Sequence, residues 1–281
     1  MEPGLCVRPT QRFAVIERRP QQSDVPRVPL AEVAAPRTLE LLRERGYVVV
    51  TDLDDAFLRA IAAQERAFLD FYARDAARKK RCVGTVYLSE RGQPMFSRGY
   101  ERQERVRECF RAQASAPAAQ PWPNRGARAA WVDLVGRLAT LADAVLDAAV
   151  GARSRPRDGD DDFSLAYSFL YGVDDGGGNG GDASTLVGEH ADVSLVVCEP
   201  VSRAPGLEVF DAKLRRWLGV EAACAPGEEV VVFGGRAFEH RTGIPACRHR
   251  VVKCAPARPR HVFLYEQKYA AFFQHLRQFD G

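Results

Sequence analysis

Between positions 190 and 265 the chain is a series of short β-branched runs cut apart by glycine and proline, and that pattern limits the fold more than any other feature. Val193, Leu195, Val196 and Val197 form one run, Gly206-Leu207-Glu208-Val209-Phe210 a second, and Glu229-Val230-Val231-Val232-Phe233 a third. Residues of this kind favour the pleated, half-buried environment of a sheet, and the Gly and Pro breaks set strand ends. In an extended strand residues i and i+2 point the same way, so His190 and Asp192 share one side while Ala191 faces the other. His249 opens a further run, Val251-Val252.

Two imidazoles and a carboxylate on one face of an ion leave its other positions open, the arrangement of mononuclear non-haem iron sites. His190, Asp192 and His249 supply that set. A His-x-Asp step alone is also common at polar strand ends, so its weight comes from the surrounding strands. His240 is the competing third ligand.

Charge and cysteine content narrow the function classes. With 40 Lys and Arg against 37 Asp and Glu, the net charge of +3 is too slight to indicate a nucleic-acid partner. Basic stretches at 74–81 and 98–107 read as solvated faces that also attract anions. The 7 cysteines are scattered and odd in number, with no Cys-x-x-Cys pair, so neither a disulfide framework nor a zinc knuckle is indicated and a reducing, cytoplasmic compartment is expected. No apolar run reaches transmembrane length, so no membrane anchor is expected. Segments 153–162 and 174–182 are rich in charge or glycine and read as flexible loops. The second lacks the Lys-Ser/Thr and the strand-to-helix setting of a phosphate loop.

Earlier in the chain, Leu39, Leu41 and Leu42 predict a helix stopped by Gly46, followed by a strand at Tyr47-Val48-Val49-Val50. Asp54 and Asp55 offer cap chemistry to a helix carrying Phe57, Leu58, Ile61, Phe68, Leu69 and Tyr72. Trp131, Val135, Leu138, Ala142 and Val145 stripe a long helix over about 128–150 that braces the sheet.

The order and spacing of these motifs resemble the isopenicillin N synthase-like Fe(II)/2-oxoglutarate-dependent dioxygenases. His190-Ala191-Asp192-Val193-Ser194-Leu195 looks like that family's first ligand strand, and Gly206-Leu207-Glu208-Val209-Phe210-Asp211 with Trp217 like the hairpin after it. Arg248-His249-Arg250-Val251 fits the family's distal histidine, which is typically followed by Arg-Val; His240 lies where the family carries a helical turn. The resemblance implies that His190, Asp192 and His249 hold Fe(II). It further implies that an arginine about one strand-turn on receives the distal carboxylate of the cosubstrate 2-oxoglutarate. A planar guanidinium suits that task because it binds a carboxylate bidentately. Arg260 fits the place, with Arg258 as rival; Pro259 belongs at a strand start, which favours Arg260. The chain departs from the pattern at Val262, where the family has a hydroxyl beside the arginine, and at Phe169, where it has Asn. Tyr171, or Tyr167, is the replacement donor, Tyr171 closing a strand that resembles the family's opening one.

What the resemblance implies is a mainly β fold with α: a double-stranded β-helix, or jelly roll, of about 163–268 with a C-terminal helix at 269–279. Residues 1–162 would form a mainly helical, substrate-covering N-terminal region and 163–281 the dioxygenase core. The segment 83–110 resembles the part that folds over the active-site mouth. The implied activity is oxidation of a C–H bond of a small organic substrate by O₂, by hydroxylation, desaturation or cyclisation, with release of succinate and CO₂. Two alternatives stay open: an isopenicillin N synthase-type iron oxidase that uses no 2-oxoglutarate, and a non-catalytic binding relative.

Overall fold

The computed structural model describes residues 25–88, 94–103, 107–118, 120–151, 162–172, 185–253 and 259–269. The expected loops at 153–162 and 174–182, the C-terminal helix at 269–279 and Arg258 lie wholly or almost wholly outside these residues. In chain order the elements are β1 (Arg27–Pro29), α1 (Pro36–Arg45), β2 (Tyr47–Thr51), α2 (Asp55–Tyr72), α3 (Ala76–Lys80), β3 (Val83–Leu88), β4 (Pro94–Gln103), β5 (Arg107–Gln113) and α4 (Arg125–Val150). Then come β6 (Leu165–Tyr171), β7 (Thr185–His190), β8 (Val196–Pro200), β9 (Leu207–Asp211), β10 (Arg216–Gly219), β11 (Val230–Gly234), α5 (Arg236–Thr242), β12 (His249–Val252) and β13 (Arg260–Glu266).

The strands form two sheets, a nine-stranded one in the order β1-β2-β11-β8-β13-β6-β5-β4-β3 and a four-stranded one in the order β10-β9-β12-β7. Continuous apolar runs follow from the large sheet being covered on both faces. Val48, Val50, Val196, Val230 and Val232 join α1, α2 and α4 in one core, while Tyr47, Val49, Val197, Val231 and Phe233 meet Leu207, Val209 and Leu218 of the small sheet in another. In β13 the same alternation sends Phe263 and Tyr265 toward the helices and Val262 into a third cluster with Phe169, Tyr171, Cys109 and Val251. The layers are therefore helices, large sheet and small sheet.

Local chemistry sets the helices. The Asp54 carboxylate caps α2 by accepting from the Phe57 amide, Asn124 does the same for α4 through Ala127, and Gly46 ends α1 at φ 90°. Trp131 of α4, fully buried, meets Phe263 edge-on with ring centroids 4.8 Å apart. That contact is the bracing expected of the long helix.

The structure adds to two sequence expectations. The region before residue 163 carries α1 to α4 and also five of the nine strands of the large sheet, β1 to β5. The described residues of 83–113 form the antiparallel strands β3, β4 and β5, with β5 pairing to β6 over its full length from Arg107↔Tyr171 to Gln113↔Leu165. The sequence hides this because the pairing partner lies far along the chain. The sheet thus runs straight across the expected boundary at 162/163.

Candidate metal centre

Strand register and one tight helix start bring the three expected metal ligands together. His190 ends β7 and His249 begins β12, and the two are paired directly across the antiparallel ladder. Their rings lie 4.2 Å apart between centroids. Asp192 follows in the turn after β7, where the start of α5 fixes the backbone. Arg236 N–H donates to the Asp192 carbonyl at 2.8 Å, Ala237 N–H to Val193 at 3.3 Å, and Gly235 N–H to Leu195 at 2.8 Å. Gly235 is required for this approach: a Cβ there would lie 2.4 Å from the Ser194 carbonyl oxygen and 2.7 Å from that of Asp192.

One donor atom from each of His190, Asp192 and His249 lies within 4.8 Å of the others. His190 Nε2 is 3.5 Å from Asp192 Oδ1, and His249 Nε2 is 3.6 Å from Asp192 Oδ2. Metal bonds of about 2.0–2.2 Å at right angles put neighbouring donors about 3 Å apart, so the three atoms need move little to share an ion. The backbone sets both tautomers. His190 Nδ1 lies 2.8 Å from the Gly188 carbonyl and His249 Nδ1 lies 3.3 Å from that of Cys247, so each Nδ1 carries a proton and each Nε2 is the nitrogen turned toward Asp192.

Electrostatics act differently on the three groups: the hydrogen bond to Asp192, against burial, pushes His190 toward holding its second proton while no metal is bound, whereas His249 and Asp192 are pushed toward their ligating forms. Burial pushes the His249 imidazolium toward losing its proton. For Asp192, burial acts upward, but the hydrogen bond from His190 and the nearby His249 overcome it and hold the carboxyl below its usual range. The partial exposure of His190, whose side chain is 40% accessible against 8% for His249, leaves one side of the group open to solvent. His240 is on the exposed side of α5 and is not among the residues brought together.

Arg260 and Tyr171 stand opposite each other on β13 and β6, with the guanidinium carbon 5.6 Å from the ring centroid. Arg260 is buried and already holds two carboxylates: its Nη2 donates to Glu199 at 3.0 Å and to both oxygens of Glu221 at 2.9 Å. Glu221 also accepts from the amides of Ser202, Gly206 and Leu207. Burial, countered only in part by Arg260 and reinforced by Glu221, raises the Glu199 carboxyl to about 8. The Nε of Arg260 is buried without a partner.

Sequence reasoning missed both glutamates. Glu199 had a signal: it interrupts the apolar run 195–201, and a charged residue is seldom fully buried unless paired. Glu221 had none, since its role depends on contacts in three separate segments. Tyr167, the other tyrosine considered, donates instead to Glu266 at 3.2 Å, and Glu266 is in turn paired with Lys268.

Several solved structures share this fold. The rice dioxygenase for auxin oxidation aligns with a TM-score of 0.63 at 19% identity over 87% of this chain and 83% of its own. The Arabidopsis thaliana dioxygenase for auxin oxidation 1, solved with 2-oxoglutarate, gives 0.64 at 15% identity over 87% and 92%. JOX2, solved with 2OG, Fe and JA, gives 0.61 at 12% identity over 87% and 75%. No protein-family model and no curated protein matches the sequence. The chain has the jelly-roll fold of the 2-oxoglutarate/Fe(II) oxygenases, and its His-Asp-His group fits iron. Among the described residues no helix is long and apolar enough to cross a membrane.

Proposed function

We propose that the protein is a non-haem iron oxidoreductase, an Fe(II)- and 2-oxoglutarate-dependent dioxygenase that oxidises a C–H bond of a small organic substrate. The observation that carries this reading is the convergence of His190, Asp192 and His249, each offering one ligand atom within 4.8 Å of the others. Bound together, iron and 2-oxoglutarate supply the oxidising power, the cosubstrate and O₂ being converted to succinate and CO₂ as the substrate C–H bond is oxidised. The protein's own part is positional. His190 and His249 keep their Nδ1 protons on backbone carbonyls, Asp192 stays ionised, and the aromatic face of Tyr167, Phe169 and Tyr171 walls the interior from water.

Arg260 and Tyr171 fit the distal carboxylate of 2-oxoglutarate, because Arg260 keeps a buried Nε–H with no partner. An unpaired buried donor is costly unless a ligand satisfies it. A second reading, an iron oxidase without 2-oxoglutarate, is favoured by one observation: Glu199 and Glu221 already occupy the Nη2 of Arg260. Further proposals follow from the same reading: O₂ as co-reactant, a substrate-covering role for β3 to β5, and a cytoplasmic setting.

Anaerobic titration with Fe(II), then with 2-oxoglutarate, distinguishes the readings through the visible charge-transfer band of a metal-chelated 2-oxo acid. A saturable band, abolished in His249→Ala and kept in His240→Ala, is the expected result. Metal binding without a band would replace the dioxygenase by the oxidase. Absence of Fe(II) binding, or its loss in His240→Ala alone, would overturn the metal assignment.

A further inference from the structure

We infer that Arg107, on β5, is a cosubstrate-binding residue that supplies the unbalanced positive charge for the distal carboxylate of 2-oxoglutarate, acting with Tyr171 and Arg260. This rests on the dioxygenase reading above. Three adjacent strands place the residues in one row, Arg107 being paired with Tyr171 across β5 and β6, and Tyr171 with Arg260 across β6 and β13. Side-chain alternation puts that row on the inner face, where Cys109, Phe169, Tyr171 and Val262 form one cluster. The Arg107 guanidinium lies 4.4 Å from the Phe169 ring centroid and 5.9 Å from that of Tyr171, and its Nη1 donates to the Tyr171 hydroxyl at 3.2 Å.

Charge balance selects Arg107 among the cations of this face. Arg260 is neutralised by Glu221 and holds Glu199 as well, Arg111 faces Glu101 at 3.6 Å, and Lys268 is paired with Glu266. Among the described residues no carboxylate lies within ion-pair distance of the half-buried Arg107, and Glu101, the acidic neighbour that acts on it, is the partner of Arg111. A guanidinium drawn out of water without a counter-ion is a favourable seat for an arriving anion. A carboxylate brought to Arg260 alone would meet Glu221 and Glu199 already hydrogen-bonded to its Nη2. With Arg107 on the other side of Tyr171, the same carboxylate finds a net positive charge and a hydroxyl oriented by it. The Tyr171 hydroxyl accepts from Arg107, so its own proton is free to be donated. That donor compensates for the hydroxyl absent at Val262 and the amide absent at Phe169.

The test compares two ligands that differ only in the distal carboxylate. Wild type, Arg107→Met, Arg107→Lys and Tyr171→Phe, each loaded anaerobically with Fe(II), are titrated with 2-oxoglutarate and with 2-oxopentanoate. Met keeps the apolar packing on Phe169. A hydrogen bond to a charged group is worth about tenfold or more in affinity. The expected result is therefore about tenfold or greater weakening of 2-oxoglutarate in Arg107→Met, partial recovery in Arg107→Lys, a smaller loss in Tyr171→Phe, and no change for 2-oxopentanoate in any variant. Unchanged 2-oxoglutarate affinity would refute the assignment. Equal weakening of both ligands would also refute it, because Arg107 would then support only the shape of the site. If wild type binds Fe(II) but neither 2-oxo acid, the dioxygenase reading itself fails and this inference falls with it.

Discussion

Glu199 is predicted to make the protein less stable as pH rises through the neutral range, and Glu199→Gln is predicted to remove that dependence. Its carboxyl is buried on the inner face of β8, and burial raises it from 4.5 to about 8 despite the guanidinium of Arg260. A group whose folded-state pKa lies above its unfolded value binds more protons in the folded state through that interval. Its stabilising contribution is therefore complete below pH 4.5 and lost as pH rises through about 8. At about 1.4 kcal/mol per pH unit in the steep region, the change between pH 6 and pH 8 is about 2 kcal/mol. For a chain of this size that is about 4 °C in Tm. Gln is nearly isosteric with the protonated acid, so the variant is expected to match wild type near pH 6 and to exceed it by several degrees at pH 8. Thermal unfolding of the metal-free protein, followed by circular dichroism across this range for both proteins, reads the difference and cancels every other group. Parallel curves would show that Glu199 is ionised in the folded protein at neutral pH and that Arg260 carries two charged carboxylates.

Two further outcomes follow from the same contacts. Arg260→Ala strands Glu221 and Glu199 in the interior, and removing one partner of a buried ion pair costs about 3–5 kcal/mol, so a Tm loss of roughly 6 °C or more is expected with no ligand present. A loss under about 2 °C would mean that the glutamates do not depend on the arginine. Gly235→Ala should push back the Asp192–Ser194 backbone, since its Cβ would sit 2.4 Å from the Ser194 carbonyl oxygen, and should weaken Fe(II) binding about 10- to 100-fold while the protein stays folded. Unaltered Fe(II) affinity would show that the turn holding Asp192 does not need that close approach.

The grouping of His190, Asp192 and His249 was readable because most of its logic is local. His249 stands at the head of a β run and pairs with His190 at the end of β7, but Asp192 lies in the turn beyond that strand rather than on it, so the expected i, i+2 alternation is replaced by backbone hydrogen bonds from the start of α5. The helices over 36–45, 55–72 and 125–150 were readable for the same reason, from apolar stripes and from caps at Asp54 and Gly46. The surroundings of Arg260 were not. Glu199 and Glu221 lie 61 and 39 residues from it in sequence, and nothing in either segment says that they meet the same guanidinium. Arg107 was hidden differently: in a stretch as charged as 101–108 an arginine looks like part of a solvated face until the sheet pairing turns it inward. Charged residues on an inner sheet face are thus the hardest to assign, because their partners come from strands that only the completed topology makes neighbours.

Under the proposed function, that topology also bears on why Arg107 would be needed beside Arg260. Glu221 gathers three backbone amides of the β8–β9 connection and ties them to Arg260 on β13, while Gly206 leaves so little room that a Cβ there would lie 2.8 Å from Arg260 Cδ. The arrangement fixes the guanidinium before any ligand arrives, which spares a ligand the cost of ordering it. It also balances the charge of Arg260 within the fold, so the attraction that a dicarboxylate needs must come from elsewhere on the same row. Rigidity at Arg260 and free charge at Arg107 are then complementary, joined through the hydroxyl of Tyr171. The two arginines are accordingly expected to respond differently to substitution: loss of Arg260 lowers stability with or without ligand, whereas loss of Arg107 lowers affinity for the distal carboxylate alone.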